Sequence, residues 1–340
     1  MVVMFRMLAI LTFIIVVLAC HELFMVSQVE RKYPPKGEFV DVETAKLHFL
    51  TRKKASDIES REYAPIILIH GSSGSSADME LAFFEAFPPD IDLYAFDRPG
   101  IGWSETKIHP LEMSDPMKQA EAIHMAVNKL KLKKPIIVGH SWGGAVAIAY
   151  AKQFGDEITG AVSLAGVAYP WEGPYGWYEV LLTTPVINHI FSRLFLNKIG
   201  QLYVPLSIKS IFEPEPPRED YREGAQAEIL LRPSKIINNS YYSYNLRRHL
   251  ETMSEDYEDI KTPFLIVAGN RDYIVNTKRQ SERFHNAVAD SEYMLLKGVG
   301  HMPHHTQTLI LADKIGRMSK GEALTPGKTE FLDIDSEKVQ

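Results

Sequence analysis

Residues 136–144 read IIVGHSWGG, and the fold turns on them. Ile136, Ile137 and Val138 form a short apolar run without alternation, the pattern of a strand covered on both faces. Gly139-His140-Ser141-Trp142-Gly143, a G-x-S-x-G, comes next, and residues 145–154 read as a helix. A strand that passes into a helix through a single serine requires a sharp, strained turn at that serine. Side chains two residues before and two after it would collide there, and Gly139 and Gly143 have none. The turn lifts the Ser141 hydroxyl clear of the sheet, beside a helix N-terminus whose unpaired N–H groups favour developing negative charge.

Similar apolar runs at 66–69, 93–96, 161–165, 264–268 and 293–296 predict further buried strands. Ala120, Ile123, Val127 and Leu130 recur at helical spacing within residues 115–132. Strand, helix, strand alternation of this kind implies a mostly parallel, doubly wound α/β sheet. Residues 39–42 and 46–50, separated by the turn-like Glu43-Thr44-Ala45, predict an edge hairpin. The alternation stops between 167 and 259, a stretch rich in aromatics such as Tyr169, Trp171, Trp177 and Tyr242 and broken by Pro214, Pro216 and Pro217. That stretch reads as an inserted helical lid, which leaves 38–166 and 260–319 as the core.

A serine hydroxyl is a poor nucleophile at neutral pH, so it needs a base within hydrogen-bond reach and a carboxylate to fix that base's tautomer. Two loops offer them in order along the chain. Gly269-Asn270-Arg271-Asp272 follows the strand at 264–268, and Gly298-Val299-Gly300-His301-Met302-Pro303 follows the strand at 293–296. With the serine turn, these motifs resemble the α/β-hydrolase superfamily in its lid-bearing branch, over about residues 39–318. The resemblance implies a sheet of about eight strands, Ser141 as nucleophile, His301 as base and Asp272 as the acid that orients it. A turn-capping role is the alternative for Asp272.

The loop His70-Gly71-Ser72-Ser73-Gly74 resembles the family's oxyanion loop, which implies one backbone N–H from Ser72 and a second from Trp142. Residues 97–104 (DRPGIGWS) resemble the loop that sets the floor of the site without doing chemistry. His70 and His140 read as structural histidines. No carboxylate or cysteine stands beside His304 and His305 in sequence, so no metal site is expected.

Serine at position 141 argues against the epoxide hydrolase and haloalkane dehalogenase branches, which use an aspartate nucleophile. The expected chemistry is carboxylic ester hydrolysis through an acyl-enzyme, without a cofactor, on a small and apolar ester substrate. Hydrolysis of a carbon–carbon bond, amide cleavage of the proline iminopeptidase kind and a non-catalytic ligand-binding relative stay open as alternatives.

The chain has 340 residues and a net charge of −6, which gives no basic footprint for nucleic acid. Cys20 is the single cysteine, so no disulfide can form within one chain. Residues 1–26 are dominated by an unbroken apolar run that predicts a membrane anchor or a signal, and Val17-Leu18-Ala19-Cys20 resembles a lipoprotein cleavage site. Arg6 on one side and Arg31, Lys32 and Lys36 on the other do not decide the orientation; export is the reading taken. Residues 27–37 (SQVERKYPPKG) read as a linker, and residues 320–340 as a disordered tail. The sequence leaves the oligomeric state open.

Overall fold

The computed structural model describes residues 1–54 and 63–331. The apolar N-terminus is one helix, α1 (Val2–Lys32), long and apolar enough to cross a membrane by length and composition. It continues through residues 27–32, where the sequence suggested a linker, so only residues 33–37 join it to the core. The reason is a set of partners distant in sequence. Val29 and Tyr33 are buried, Lys32 pairs with Glu223 and Glu228 at 3.1 Å each, and Glu30 lies 3.5 Å from Arg232. Arg31 and Lys32 suit the negative end of the helix dipole, and Pro34-Pro35 cannot continue the helix.

β1 (Glu38–Asp41) and β2 (Ala45–Arg52) form the antiparallel hairpin. The apolar runs form β3 (Ile66–Ile69), β4 (Leu93–Phe96), β6 (Ile136–His140), β7 (Gly160–Leu164), β8 (Phe264–Gly269) and β9 (Ser291–Leu296). Two further strands, β5 (Glu105–Thr106) and β10 (Gly327–Phe331), bring the described sheet to ten instead of about eight. Its order is β1-β2-β4-β3-β6-β7-β8-β9-β10, with β5 beside β2. From β4 to β10 every neighbour is parallel. β10 falls within the expected tail. It forms because β9 leaves an open row of backbone groups, and because Glu330 pairs with Lys297 at 2.8 Å while Glu292 accepts from Thr325 N. The remainder of that tail, residues 332–340, lies outside the described residues.

Helices cover both faces of the sheet. On one face Ile67, Ile69 and Ile137 pack against α4 (Pro116–Lys129) and α5 (Trp142–Phe154), which follow the short α3 (Pro110–Met113). Asp115 caps α4 by accepting from Met117 N at 2.9 Å, and Ala120, Ile123 and Val127 point inward as their spacing predicts. On the other face Ile66, Leu68, Ile136 and Val138 meet α2 (Ser76–Phe83) and α13 (Thr308–Ser319). Between β7 and β8 the chain leaves the sheet and builds an inserted helical segment, the stretch the sequence suggested as a lid. Its helices are α6 (Trp177–Thr183), α7 (Ile187–Leu194), α8 (Leu196–Phe212), α9 (Tyr221–Gly224) and α10 (Pro233–Met253). The short α11 (Arg283–Ala287) precedes β9, and α12 (Pro303–Thr306) follows it.

Candidate active site

Ser141 sits between the last residue of β6 and the first of α5 with φ 51° and ψ −116°, a strained conformation for any residue other than glycine. Three backbone bonds hold it there. Ser141 N donates to Leu164 O at 2.9 Å, and Ser141 O accepts from Gly144 N at 2.9 Å and Val167 N at 3.1 Å. The steric argument for the two glycines has direct distances. A Cβ at Gly139 would lie 2.0 Å from Gly143 O, and one at Gly143 would lie 2.5 Å from Ile69 O.

The loop after β8 brings Asp272 to His301, which lies in the loop after β9. His301 Nδ1 and Asp272 Oδ2 are 2.7 Å apart, with both side chains buried. Asp272 Oδ1 accepts from Ile274 N and Val275 N, both at 2.8 Å, so only Oδ2 is left to face the ring. The structure therefore joins the Asp272 and His301 side chains directly. It brings the serine to them through its neighbour His140, whose Nε2–H donates to His301 O at 2.9 Å and whose ring lies 4.9 Å from the His301 ring. Ser141 Oγ makes no hydrogen bond to His301 among the described residues; such contacts commonly tighten only when substrate binds. Burial, and then the nearby His304 and His301 rings, hold the His140 pKa well below the usual histidine range, so His140 is a neutral strut.

Neither the Ser72 nor the Trp142 backbone N–H donates to a protein acceptor among the described residues; Trp142 opens α5, where orphan amides are expected. The Ser72 loop is held from the lid. Asn239 of α10 accepts from Ser73 N at 3.0 Å and from Ser72 Oγ at 3.2 Å, and its Nδ2 donates to Ser73 Oγ at 3.2 Å. Ser73 itself has φ 61°, so this clamp fixes a strained turn. Sequence reasoning missed Asn239. The one available signal was a polar Asn238-Asn239 pair in an otherwise aromatic stretch, and Asn238 also binds a loop carbonyl, Gly100 O, at 2.9 Å.

Beneath the site, His70 Nδ1–H donates to Gly71 O at 2.8 Å and its Nε2 accepts from Arg98 N at 3.0 Å, which ties the two loops together. Burial, reinforced by the Arg98 charge, pushes its pKa down to about 4, so it stays neutral. Arg98 is wholly buried. It donates to Gln119 Oε1 and Gly71 O at 3.2 Å each and lies 4.3 Å over the Trp142 ring. Burial would raise the pKa of Asp97. The bond from His48, with its charge, and the bond from Ser76 N bring it instead to about 2. Residues 97–104 thus act as a polar brace.

His304 and His305 do have a carboxylate, brought from α2. Asp78 Oδ1 lies 2.9 Å from His305 Nε2, and Oδ2 lies 3.4 Å from His304 Nε2. These three side chains offer ligand atoms within 4.8 Å of one another, a donor set that fits a small divalent cation. The same contacts also close the cluster as hydrogen bonds. They hold the buried Asp78 carboxyl well below its ordinary range against the effect of burial.

The sequence profile described as the alpha/beta hydrolase fold matches residues 64–308. The chain belongs to that family. Among relatives of this α/β hydrolase, a Mycoplasma pneumoniae protein that carries an esterase/lipase name is 23% identical over 258 residues, 74% of this chain and 87% of that protein. A poly(3-hydroxyalkanoate) depolymerase of Ectopseudomonas oleovorans is 30% identical over 102 residues, which are 30% of this chain and 35% of that one. This chain therefore aligns with about a third of that depolymerase. Among solved structures, a thermophilic esterase from Thermogutta terrifontis has the same fold, with a TM-score of 0.60 at 19% identity over 84% of this chain and 99% of the esterase.

Proposed function

We propose that this α/β hydrolase cleaves carboxylic esters through an acyl-enzyme on Ser141. The observation that carries the reading is the 2.7 Å bond from His301 to a buried Asp272 whose other oxygen is already occupied, next to a strained Ser141. Asp272 keeps the His301 proton on Nδ1, which leaves the Nε2 lone pair free for the serine proton. Ser141 Oγ attacks the ester carbonyl carbon as its proton passes to His301 Nε2. The oxyanion takes the N–H groups of Ser72 and Trp142, and each such donor supplies about 3 kcal/mol in enzymes of this type. His301 then returns the proton to the departing alkoxide, and a water activated in the same way releases the acid and restores Ser141.

We read α1 as a retained anchor: residues 2–17 expose an apolar surface and its last turns dock on the lid. An apolar ester presented at a membrane suits that placement. The test is initial-rate hydrolysis of p-nitrophenyl esters of increasing acyl length by the full chain in detergent, beside Ser141→Ala. The variant should lose turnover on every ester. Equal turnover by the two proteins would overturn the proposal. The intact mass of the membrane-extracted chain checks the anchor: Met1 present supports it, and a new start at Cys20 contradicts it.

A further inference from the structure

The described surface concentrates its exposed apolar side chains in two places. One is α1, and the other is a short part of the lid. Outside α1, nine of the fourteen exposed large hydrophobic residues fall between Trp177 and Leu206, and the remaining five are scattered as Phe39, Leu111, Tyr273, Ile274 and Leu309. Val186, Ile190, Leu202 and Leu206 are 66%, 53%, 74% and 64% exposed, unusual for residues of this type in water. Leu202 and Leu206 stand one turn apart on the same face of α8.

Charge sets this segment apart as well. Residues 180–212 contain no aspartate or glutamate, while Arg193, Lys198 and Lys209 supply positive charge. In a chain of net charge −6 this is the reverse of the overall balance. Apolar side chains rimmed by lysine and arginine, without carboxylates, are the composition of a helix lying in a bilayer interface.

Position decides the occupant. The buried Glu22 of α1 accepts from Asn197 N at 3.0 Å and Asn197 Nδ2 at 2.8 Å, which pins α1 to the first turn of α8. Upstream of that pin α1 leaves the protein, and residues 2–17 expose their apolar side chains. The apolar face of α7 and α8 is thus continuous with the segment read as the anchor.

We propose that residues 180–212 form a second membrane-contacting surface, on which the lid lies in the headgroup region of a phospholipid bilayer beside α1. The proposal rests on the anchor reading of α1. On this arrangement the bilayer fixes the lid helices, and the lid in turn holds the Ser72 loop through Asn239. Lipid contact and the geometry of the candidate oxyanion loop are then mechanically linked.

Depth measurements on the full chain test this. In a Cys20→Ser background, single cysteines at Ile190→Cys and Leu206→Cys carry an environment-sensitive fluorophore in phosphatidylcholine–phosphatidylglycerol vesicles. Phe13→Cys reports the anchor, and Lys261→Cys, an exposed position just before β8 and outside residues 180–212, is the control. Nitroxide groups on the lipids near the headgroup should quench positions 190 and 206 roughly twofold, deeper nitroxides should quench position 13, and position 261 should be unaffected. Quenching at 13 with positions 190 and 206 as bright as 261 overturns the proposal while leaving the anchor intact. No quenching at 13 removes the anchor reading and the proposal with it. Shielding of 190 and 206 from water without lipid quenching, the signature of a protein partner or a second copy, also overturns it.

Discussion

Replacing Asp272 with asparagine should reduce kcat by about 10⁴ while leaving the fold unchanged, the loss expected when a triad base is held in the wrong tautomer. The structure dictates how the amide must sit. Two backbone N–H groups, from Ile274 and Val275, point at the Oδ1 position from 2.8 Å each, and only a carbonyl oxygen can accept them. The amide NH2 is therefore forced into the Oδ2 position, 2.7 Å from His301 Nδ1. An NH2 there can only donate, so Nδ1 must give up its proton and Nε2 must carry one. Nε2 then has no lone pair for the Ser141 hydroxyl. A 10⁴ loss corresponds to about 5 kcal/mol of transition-state stabilisation. Initial rates with p-nitrophenyl acetate give the number, and a thermal melt checks that the isosteric change leaves folding intact. A well-folded variant that retains activity within about tenfold of the parent would refute the argument.

Other perturbations follow from the same geometry. Gly139→Ala places a methyl 2.0 Å from Gly143 O, so urea unfolding should show a loss of about 4 kcal/mol or more, or no soluble protein at all. Asn239→Leu removes the lid's hold on Ser72 and Ser73, and kcat on a short ester should fall roughly tenfold to a hundredfold; an unchanged kcat would show that α10 does not position the loop. His48 is buried, which lowers its pKa, but its bond to Asp97 at 2.8 Å and the carbonyl of Lys36 raise it further than burial lowers it. A histidine with a raised folded pKa stabilises fully below about pH 6.5, and that stabilisation is lost as pH rises through the folded value. The thermal midpoint of the parent should therefore decline more steeply than that of His48→Gln above about pH 6.5, with parallel curves counting against the ion pair. Treatment with EDTA should leave ester turnover unchanged, since no step runs through the Asp78, His304 and His305 cluster; a loss restored by zinc would reassign that cluster.

Strands buried on both faces were legible because each carries an unbroken apolar run, such as residues 66–69 in β3 and 136–138 in β6. β5 and β10 were not, because an edge strand held mainly by backbone pairing needs no apolar pattern of its own. Ser27 to Lys32 looked like a solvated linker because polarity was read without knowledge of partners, and those partners, Glu223, Glu228 and Arg232, lie about two hundred residues away. The same separation explains what was missed around the site. Asp272 and His301 sit in glycine-bearing loops that follow strands, a local signal. Asn239 reaches Ser73 across 166 residues and Asp78 reaches His304 across 226, and the polar Asn238-Asn239 pair is all that marks the first locally.

The central claim is that Ser141 is the nucleophile, and covalent trapping tests it most directly. The full chain should react with a fluorophosphonate to give one stoichiometric adduct, which peptide mass spectrometry maps to Ser141, and Ser141→Ala should remain unlabelled. An adduct on another residue, or equal labelling of the alanine variant, would contradict the account.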